Sequence, residues 1–267
     1  MSETLLSLEN ISLIRDEKAL LNSVDLNLLR GEIISILGPN GAGKSSLLSC
    51  IGLSSSIKYI GNIKIRKKNI KDISDRKKSQ FISLLPQYSS LNFPLCVRDI
   101  IMLGRYPHIT SNSTNLLIIE NLLRRLDLIK LADRNYITLS GGEKQRVQIA
   151  RVLAQLFISE DMCLHANSIL LLDEPLSALD LPYQSILMGF LKELCTNGLS
   201  LIMIFHDINI AANYSDRCFF MKNGRIESEG KTEDVVNSKN IFDTFGIHVD
   251  VIQHPNTSRP HIIYDYN

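Results

Sequence analysis

The chain of 267 residues is 45% hydrophobic and 21% charged, with 29 basic against 28 acidic side chains. This composition supports a folded core, and the near-zero net charge gives no whole-chain field that would favour nucleic acid or an anionic membrane. The five cysteines form an odd set without a C-x-x-C pair, which argues against a disulfide framework or a zinc site. The start MSETLLSLEN lacks the features of a signal peptide, and no apolar run approaches the roughly 20 residues of a membrane span. We therefore expect any membrane connection to pass through another subunit.

The first part of the chain predicts strands followed by a helix. Val24, Leu26 and Leu28 alternate with polar residues, as in a half-buried strand, and the polar stretch 15–18 predicts a hairpin turn. Residues 33–37 are apolar on both faces, as in a buried parallel strand, and they lead through a glycine-rich loop into a helical segment. A small antiparallel sheet is thus expected before a strand, loop and helix unit.

The middle of the chain is predicted to be helical. Between Val97 and about Phe157 apolar residues recur at helix-face spacing, and no strong strand pattern interrupts them. These apolar residues are Leu117, Ile118, Leu122, Leu123 and Leu126. Strand patterns return at 169–172 and 201–205, separated by a predicted helix at 184–195, which is the element order of a parallel sheet.

Two hairpins are predicted toward the C-terminus. Asn223-Gly224 is a dipeptide typical of a tight two-residue turn. Apolar residues alternate from Phe245 to Val251, and the turn-rich HPNTSRP and the short apolar HIIY follow them. This pattern predicts a C-terminal β-hairpin.

A G-x-x-x-x-G-K-[ST] pattern, which is typical of a phosphate-binding loop, lies directly between the predicted buried strand and a helix. The residues expected to bind ATP here are Gly38, Pro39, Asn40, Gly41, Ala42, Gly43, Lys44, Ser45 and the adjoining Ser46. Such glycines let backbone N–H groups turn toward phosphate oxygens at a helix N-terminus. Lys44 is expected to reach the β- and γ-phosphates, and the Ser45 hydroxyl to ligate Mg²⁺. The alternative is a glycine turn that only caps a helix, and the flanking strand argues against it.

Two acids, Asp173 and Glu174, follow the predicted strand 169–172. Because the carboxyl ends of strands in an α/β sheet face the ligand crevice, Asp173 is expected to hold Mg²⁺ and Glu174 to polarise the attacking water. Two acids after a strand can also serve only as a helix cap. The phosphate-binding loop upstream favours the catalytic role.

A second phosphate-binding helix end is predicted in LSGGEKQR, residues 139–146. Ser140 has the N-cap position before the predicted helix 147–157, and Gly141 and Gly142 permit a close approach of phosphate to the backbone. One chain cannot easily use two such helix ends on the same γ-phosphate. This segment, including Glu143, is therefore expected to bind the ATP of a second copy.

These motifs and their order resemble the ATPase subunits of ABC transporters, and the resemblance covers nearly the whole chain. It implies a Q-loop glutamine at Gln87, a D-loop at 177–180 and a switch histidine at His206. Gln87 would join Ser45 and Asp173 as Mg²⁺ ligands and sense the γ-phosphate. His206 would contact the γ-phosphate during catalysis.

The implied fold is α/β, a P-loop NTPase (RecA-like) parallel-sheet core with an N-terminal antiparallel β subdomain and an inserted α-helical subdomain at about 97–160. The ABC domain is expected at 1–243 and a C-terminal β-hairpin tail at 244–267. ATP and Mg²⁺ are the implied cofactors. The implied assembly is a homodimer bound to two copies of a transmembrane permease, peripheral to the cytoplasmic face of the inner membrane.

Three segments narrow the class of transporter by resemblance. LGRYPH at 103–108 is similar to importers of ferric siderophores, haem and cobalamin, and its Arg105 and Tyr106 are expected to act in coupling to the permease. The string at 150–156 and the long spacer at 158–168 are similar to haemin importer ATPases. The implied function is ATP-driven haem import, with a periplasmic haem-binding protein as an indirect partner. An importer of ferric siderophores or cobalamin is the alternative.

Two positions depart from the family pattern. Arg15 stands in the first hairpin, where many members carry an aromatic residue that stacks on adenine. Pro182-Tyr183-Gln184 stands where Ala-His-Gln is more familiar.

Other classes of function and site were weighed. A DNA-repair ABC ATPase would carry a long inserted coiled coil, and a translation factor usually carries two cassettes in one chain. The basic stretch 64–78 includes acids and no interleaved aromatic residues, so we expect a solvated face and no nucleic-acid partner. His248, His254 and His261 lack the spacing of metal ligands and are expected to be surface residues.

Overall fold

The computed structural model describes residues 3–53, 55–87 and 93–264. These residues form the strands β1 Thr4–Arg15, β2 Lys18–Leu29, β3 Ile33–Leu37, β4 Ile60–Ile65, β5 Lys68–Asn69, β6 Ile82–Leu85, β7 Ile169–Asp173, β8 Ser200–Ile204, β9 Arg217–Lys222, β10 Arg225–Lys231, β11 Val249–Gln253 and β12 Pro260–Tyr264. They form the helices α1 Lys44–Gly52, α2 Asp75–Lys78, α3 Val97–Met102, α4 Asn112–Arg125, α5 Gly141–Ala154, α6 Leu181–Thr196, α7 Ile208–Tyr214, α8 Thr232–Val235 and α9 Ser238–Phe245.

The chain folds as two compact units. Unit 1 comprises the described parts of Met1–Asp72 and Leu201–Asn267, and unit 2 those of Ile73–Ser200. The division at 243/244 expected from the sequence stays a prediction. In the described ranges, no helix combines the length and the hydropathy that a membrane crossing requires.

An antiparallel sheet of order β2-β1-β4-β5 begins unit 1. Alternating residues of β1 and β2 are buried on one face, among them the cross-strand pair Leu8 and Leu26. The burial of every second side chain holds the register, because a slip by one residue would expose the whole apolar set. The predicted N-terminal antiparallel sheet is confirmed.

Parallel strands form the second layer of unit 1. All five residues of β3 are buried, and β3 pairs in parallel with β8 on one side and β9 on the other. Asn223-Gly224 is the predicted tight turn, and it joins β9 to the antiparallel β10. In these pairs Ile36 lies opposite both Ile204 and Phe219, so the strands end at a common edge.

The C-terminal hairpin is present as β11 and β12, with Val251 opposite Ile262, and residues 265–267 of the predicted tail lie outside the described residues. The prediction was wrong for Phe245 and Ile247, which do not belong to the strand. Phe245 ends α9, and Gly246 follows with a φ of 73°, as in a common helix C-terminus. The alternation of apolar residues in the sequence therefore spans the end of α9 and the start of β11.

Unit 2 pairs β6 and β7 in parallel and packs α3 and α4 against α5. The predicted helical character of residues 97–157 is confirmed, and the buried face of α4 includes Ile118, Leu122 and Leu123. Leu117 was predicted on that face but is 48% exposed, and Ile119 is buried instead. Residues 118, 119, 122 and 123 form one stripe at helical spacing, and position 117 lies beside it.

Candidate active site

The predicted phosphate-binding loop lies in unit 1 between β3 and α1. Gly43 is the N-cap of α1, so the helix begins at Lys44. The Lys44 side chain is buried, and its Nζ donates to the carbonyl oxygens of Gly38 and Pro39 at 2.7 and 3.0 Å. The ammonium is therefore directed into the loop, whereas Ser45 is exposed.

Gly38 and Gly43 are positions where this loop leaves no room for a side chain, and the approach is closest at Gly38. The φ of Gly38 is 154°, and a Cβ there would lie 2.1 Å from the carbonyl oxygen of Met221. The β9–β10 turn supports the loop from the same side, because Gly224 N donates to Ala42 O at 2.9 Å and Asn22 N donates to Gly224 O at 2.8 Å. Backbone hydrogen bonds thus hold the loop in its shape.

His206 reaches the same edge of unit 1. The β3–β8 register pairs Ile36 with Ile204, so continuation by two residues places His206 level with Gly38. His206 is exposed, and the next residue, Asp207, caps α7 by accepting from Asn209 N at 2.7 Å. Unit 1 therefore gathers the loop lysine and the predicted switch histidine at the carboxyl ends of adjacent strands.

A second edge, in unit 2, gathers Gln87 with Asp173 and Glu174. Leu85 of β6 pairs with Leu172 of β7, so residues 87 and 174 each lie two positions beyond this pair. Asp173 is 4% exposed, and Glu174 has a φ of 52°, which a residue with a side chain seldom adopts. This conformation turns the chain sharply after the strand.

The signature segment opens α5 as predicted. Ser140 is the N-cap: its Oγ accepts from Glu143 N at 3.3 Å, and the Glu143 carboxylate accepts from Ser140 N at 2.7 Å. The backbone N–H of Ser140, and after it the Ser140 hydroxyl, lower the pKa of the Glu143 carboxyl by hydrogen bonding to its carboxylate. Ser140 and Gly141 remain exposed, so this helix end is accessible to an anion.

The D-loop, residues 177–180, packs directly against this helix end. A Cβ on Gly142 would lie 2.9 Å from Ala178 O. Two glutamines to which the sequence assigned no role hold the D-loop and the residues before it, since Gln145 Nε2 donates to Pro175 O at 3.2 Å and Gln184 Nε2 to Leu179 O at 2.8 Å. Their position at the start of helices was the only signal in the sequence.

The LGRYPH segment, residues 103–108, closes the other end of α5. Arg105 is 3% exposed, and its Nη1 donates to Ala154 O at 2.5 Å and Phe157 O at 2.6 Å. Burial lowers the pKa of Arg105 to about 10 and lowers the pKa of His108, whose Nε2 lies 2.8 Å from Gln155 O. These bonds satisfy carbonyls at the helix C-terminus, where α5 ends at Ala154 rather than at Phe157 as predicted.

Arg105 and Tyr106, the two residues expected to act in coupling to the permease, have different surroundings. Tyr106 is 90% exposed and is available to a partner, as predicted. Arg105 was expected to act there too, but its guanidinium is buried within unit 2 and contacts no outer surface. Arg15, which departs from the family pattern in the first hairpin, is exposed, and its Nε lies 3.8 Å from Asp16 Oδ2.

The three histidines of the C-terminal part, which were predicted to lie on the surface, pack against other rings. His248 stacks on Phe242 with ring centroids 4.4 Å apart, and His254 and His261 pack edge to face at 6.0 Å. Across the described parts of the chain, no group of three or more His, Cys, Asp or Glu side chains is arranged to hold a metal ion.

Comparison with known sequences finds relatives that match nearly the whole chain. The ABC transporter family profile matches residues 21–177. The hemin import ATP-binding protein HmuV of Pseudomonas fluorescens is 38% identical over 97% of this chain and 99% of that protein. The protein of the same name from Plesiomonas shigelloides is 35% identical over 96% and 100%.

Solved structures give the same fold. An inward-facing transporter described as of metal-chelate type has a TM-score of 0.78 at 27% identity and covers 99% of this chain and 98% of that one. A dimeric ATP-binding cassette with bound ADP and Pi has a TM-score of 0.73 at 28% identity, over 85% and 98%.

We expect Gly38→Ala to lower ATP affinity at least about tenfold, because the added Cβ forces the loop away from Met221 O and misdirects its N–H groups. Titration calorimetry measures the change. Gly41→Ala is the matched comparison: its φ of 79° also strains a residue with a side chain, but no other described residue lies within 4 Å of the added Cβ, so it should cost less. Equal affinities of Gly38→Ala and the parent protein would contradict this account of the loop.

Proposed function

Because this chain belongs to the ABC transporter ATP-binding family, we propose that it is the ATP-hydrolysing subunit of a haem importer. The observation that carries the proposal is the near full-length similarity to hemin import ATP-binding proteins at 35–38% identity. Such coverage includes the spacer 158–168 and the LGRYPH segment as well as the nucleotide motifs.

Each residue of the predicted site has a role in hydrolysis that its surroundings support. The loop 38–46 binds the phosphates of ATP through backbone N–H groups, and Lys44 adds a positive charge at the β- and γ-phosphates. Glu174 polarises the attacking water, and His206 contacts the γ-phosphate. The position of His206 level with Gly38 in the strand register supports its role.

Mg²⁺ fits the donor set of these residues. The Ser45 hydroxyl, the Asp173 carboxylate and the Gln87 amide are oxygen donors, which Mg²⁺ prefers over nitrogen or sulfur. When bound, the ion would neutralise charge on the phosphate oxygens. Asp173 is held at the end of a buried strand, which limits the freedom of its carboxylate.

We expect Glu174→Gln to reduce hydrolysis about 10²–10³-fold without weakening ATP binding, because an amide keeps the shape of the side chain but is no base. Phosphate release measures the rate, and calorimetry the affinity. Lys44→Ala is the companion variant, and it should lose ATP affinity instead. Parental turnover of Glu174→Gln at saturating ATP would refute the assignment of the base.

A second copy of the chain completes the hydrolytic unit in this proposal. Ser140 and Gly141 are exposed at the N-terminus of α5, where N–H groups and the helix dipole favour an anion. Ser140 to Gly142, with Glu143 capping the helix, would bind the γ-phosphate of the ATP held by the partner copy's phosphate loop. The dimeric cassette described above supports this assembly.

Two permease subunits and a periplasmic haem-binding protein complete the proposed transporter, with this chain peripheral at the cytoplasmic face of the inner membrane. Tyr106 is the most exposed residue of the LGRYPH segment, so a permease can contact its ring. Leu103 and Ile109 beside it are 49% and 85% exposed, which gives the contact apolar area.

We expect Tyr106→Ala to abolish stimulation of hydrolysis by the permease while basal hydrolysis changes less than about twofold, because the Tyr106 side chain is 90% exposed and makes no hydrogen bond with the described residues. Arg105→Lys should behave differently and lower the unfolding free energy by about 2 kcal/mol, since lysine cannot reach several acceptors at once. Reconstituted complexes and denaturant titrations measure the two effects. Loss of basal hydrolysis in a stably folded Tyr106→Ala variant would contradict this division.

A strain lacking this gene should fail to grow on haem as the sole iron source and should grow normally on a ferric siderophore. Complementation with the parent gene, but not with the Glu174→Gln variant, is the control for hydrolysis. The metal-chelate transporter among the structural neighbours supports a siderophore or cobalamin importer as the second candidate. Normal growth on haem with failure on either of those substrates would favour that candidate.

A further inference from the structure

The arginine that ends the LSGGEKQR motif packs against residues from two other helices. Arg146 is 7% exposed, and its guanidinium carbon lies 3.8 Å from the centre of the Tyr183 ring. Its Nη1 donates to Leu126 O at 2.9 Å and to Asp127 O at 2.7 Å. The Tyr183 hydroxyl donates to Asp127 Oδ2 at 2.9 Å. Arg146, Asp127 and Tyr183 are called the Arg146 cluster below.

The members of the Arg146 cluster come from three elements of unit 2. Arg146 lies in α5, Tyr183 lies in the first turn of α6, and Asp127 follows the end of α4. Asp127 has a φ of 52°, so its backbone is held in a conformation that is unfavourable for a residue with a side chain. The Arg146 guanidinium stacks on the Tyr183 ring and donates to two carbonyls. Both kinds of contact depend on distance and orientation, so together they hold the three elements in a fixed arrangement.

The Arg146 cluster lies close to the signature segment. From Ser140 to Arg146 the helix rises about 9 Å, so the cluster is fewer than two turns from the exposed end of α5. The D-loop leads directly into α6, and its Ala178 carbonyl already lies against Gly142. Two contacts therefore join α5 to the D-loop and α6, one of backbone atoms and one of side chains.

We propose that Tyr183 is a positioning residue that acts through Arg146 to hold the N-terminus of α5 against the D-loop, so that Ser140 and Gly141 meet the partner copy's ATP in one orientation. The inference rests on the proposed function, because it requires that this helix end binds ATP across a dimer. Tyrosine suits the role because its uncharged ring covers the guanidinium while its hydroxyl reaches Asp127. This is the position where the sequence departs from the more familiar histidine.

The Tyr183 proposal concerns the dimer and not the first binding event. The loop 38–46 binds ATP within one copy, so a change at Tyr183 should leave the affinity of the monomer for ATP unchanged. It should instead raise the ATP concentration needed for dimerisation. A purely structural role would lower stability and affect both quantities together.

The experiment uses the full chain in a Glu174→Gln background, in which we expect the dimer to accumulate with ATP because the variant does not hydrolyse it. Tyr183→Leu removes the ring and the hydroxyl, Tyr183→Phe removes the hydroxyl only, and Ser185→Ala is the control at an exposed position of α6. Sedimentation velocity at increasing ATP gives the half-saturating concentration for dimerisation. Calorimetry at low protein concentration gives the affinity of the monomer, and thermal denaturation gives its stability.

We expect Tyr183→Leu to raise the half-saturating ATP concentration about tenfold and Tyr183→Phe about threefold, with monomer affinity unchanged and the control at the parental value. Parental dimerisation of a folded Tyr183→Leu variant would overturn the role of Tyr183. If that variant does not fold, Tyr183→Phe decides, and parental dimerisation of it would overturn the proposal. Absence of an ATP-dependent dimer in the Glu174→Gln background itself would instead refute the shared site of the proposed function.

Discussion

The closure of both ends of α5 by side chains is the constraint on which unit 2 depends. Ser140 and Glu143 satisfy N–H groups at its start, and Arg105 and His108 bond carbonyls at its end. A helix of this length is only marginally stable by itself, so its caps and its packing against α3 and α4 determine where it begins and ends. Since the predicted ATP-binding segment is the start of this helix, the caps also fix the shape of that segment.

The carboxyl ends of parallel strands position the predicted site residues in each unit separately. In unit 1 the phosphate loop follows β3 and His206 follows β8 at the same register, and in unit 2 Gln87 and the pair of acids follow β6 and β7. Buried strands keep these ends fixed, because a slip in register would expose the apolar side chains of both faces. The phosphate loop, His206, Gln87 and the two acids thus lie at or beyond strand ends, whereas the predicted signature segment lies at the start of a helix.

Much of this arrangement could be predicted, because the motifs contain their own structural reasons. The spacing of Ser140 and Glu143 is the pattern of a capping box, and a buried strand before Gly38 predicts the loop. The burial of Arg105 could not be predicted in the same way, because its acceptor Ala154 O lies 49 residues further along the chain. The predictions were wrong at Leu117, which lies beside the buried face of α4, and at Phe245, which ends α9 shortly before β11 begins. At such boundaries the periodicity of apolar residues does not determine the state of a single residue.

In the proposed function, the binding of ATP at Lys44 exchanges one set of hydrogen bonds for another. The Lys44 ammonium already donates to Gly38 O and Pro39 O, so phosphate oxygens would compete for its three hydrogens. The enthalpy that the lysine gains from ATP is therefore a difference between two sets of hydrogen bonds. Backbone hydrogen bonds already hold the loop, so it would require little further ordering when nucleotide binds. The preference for a triphosphate over smaller anions would then depend on how many N–H groups of the loop each anion can reach.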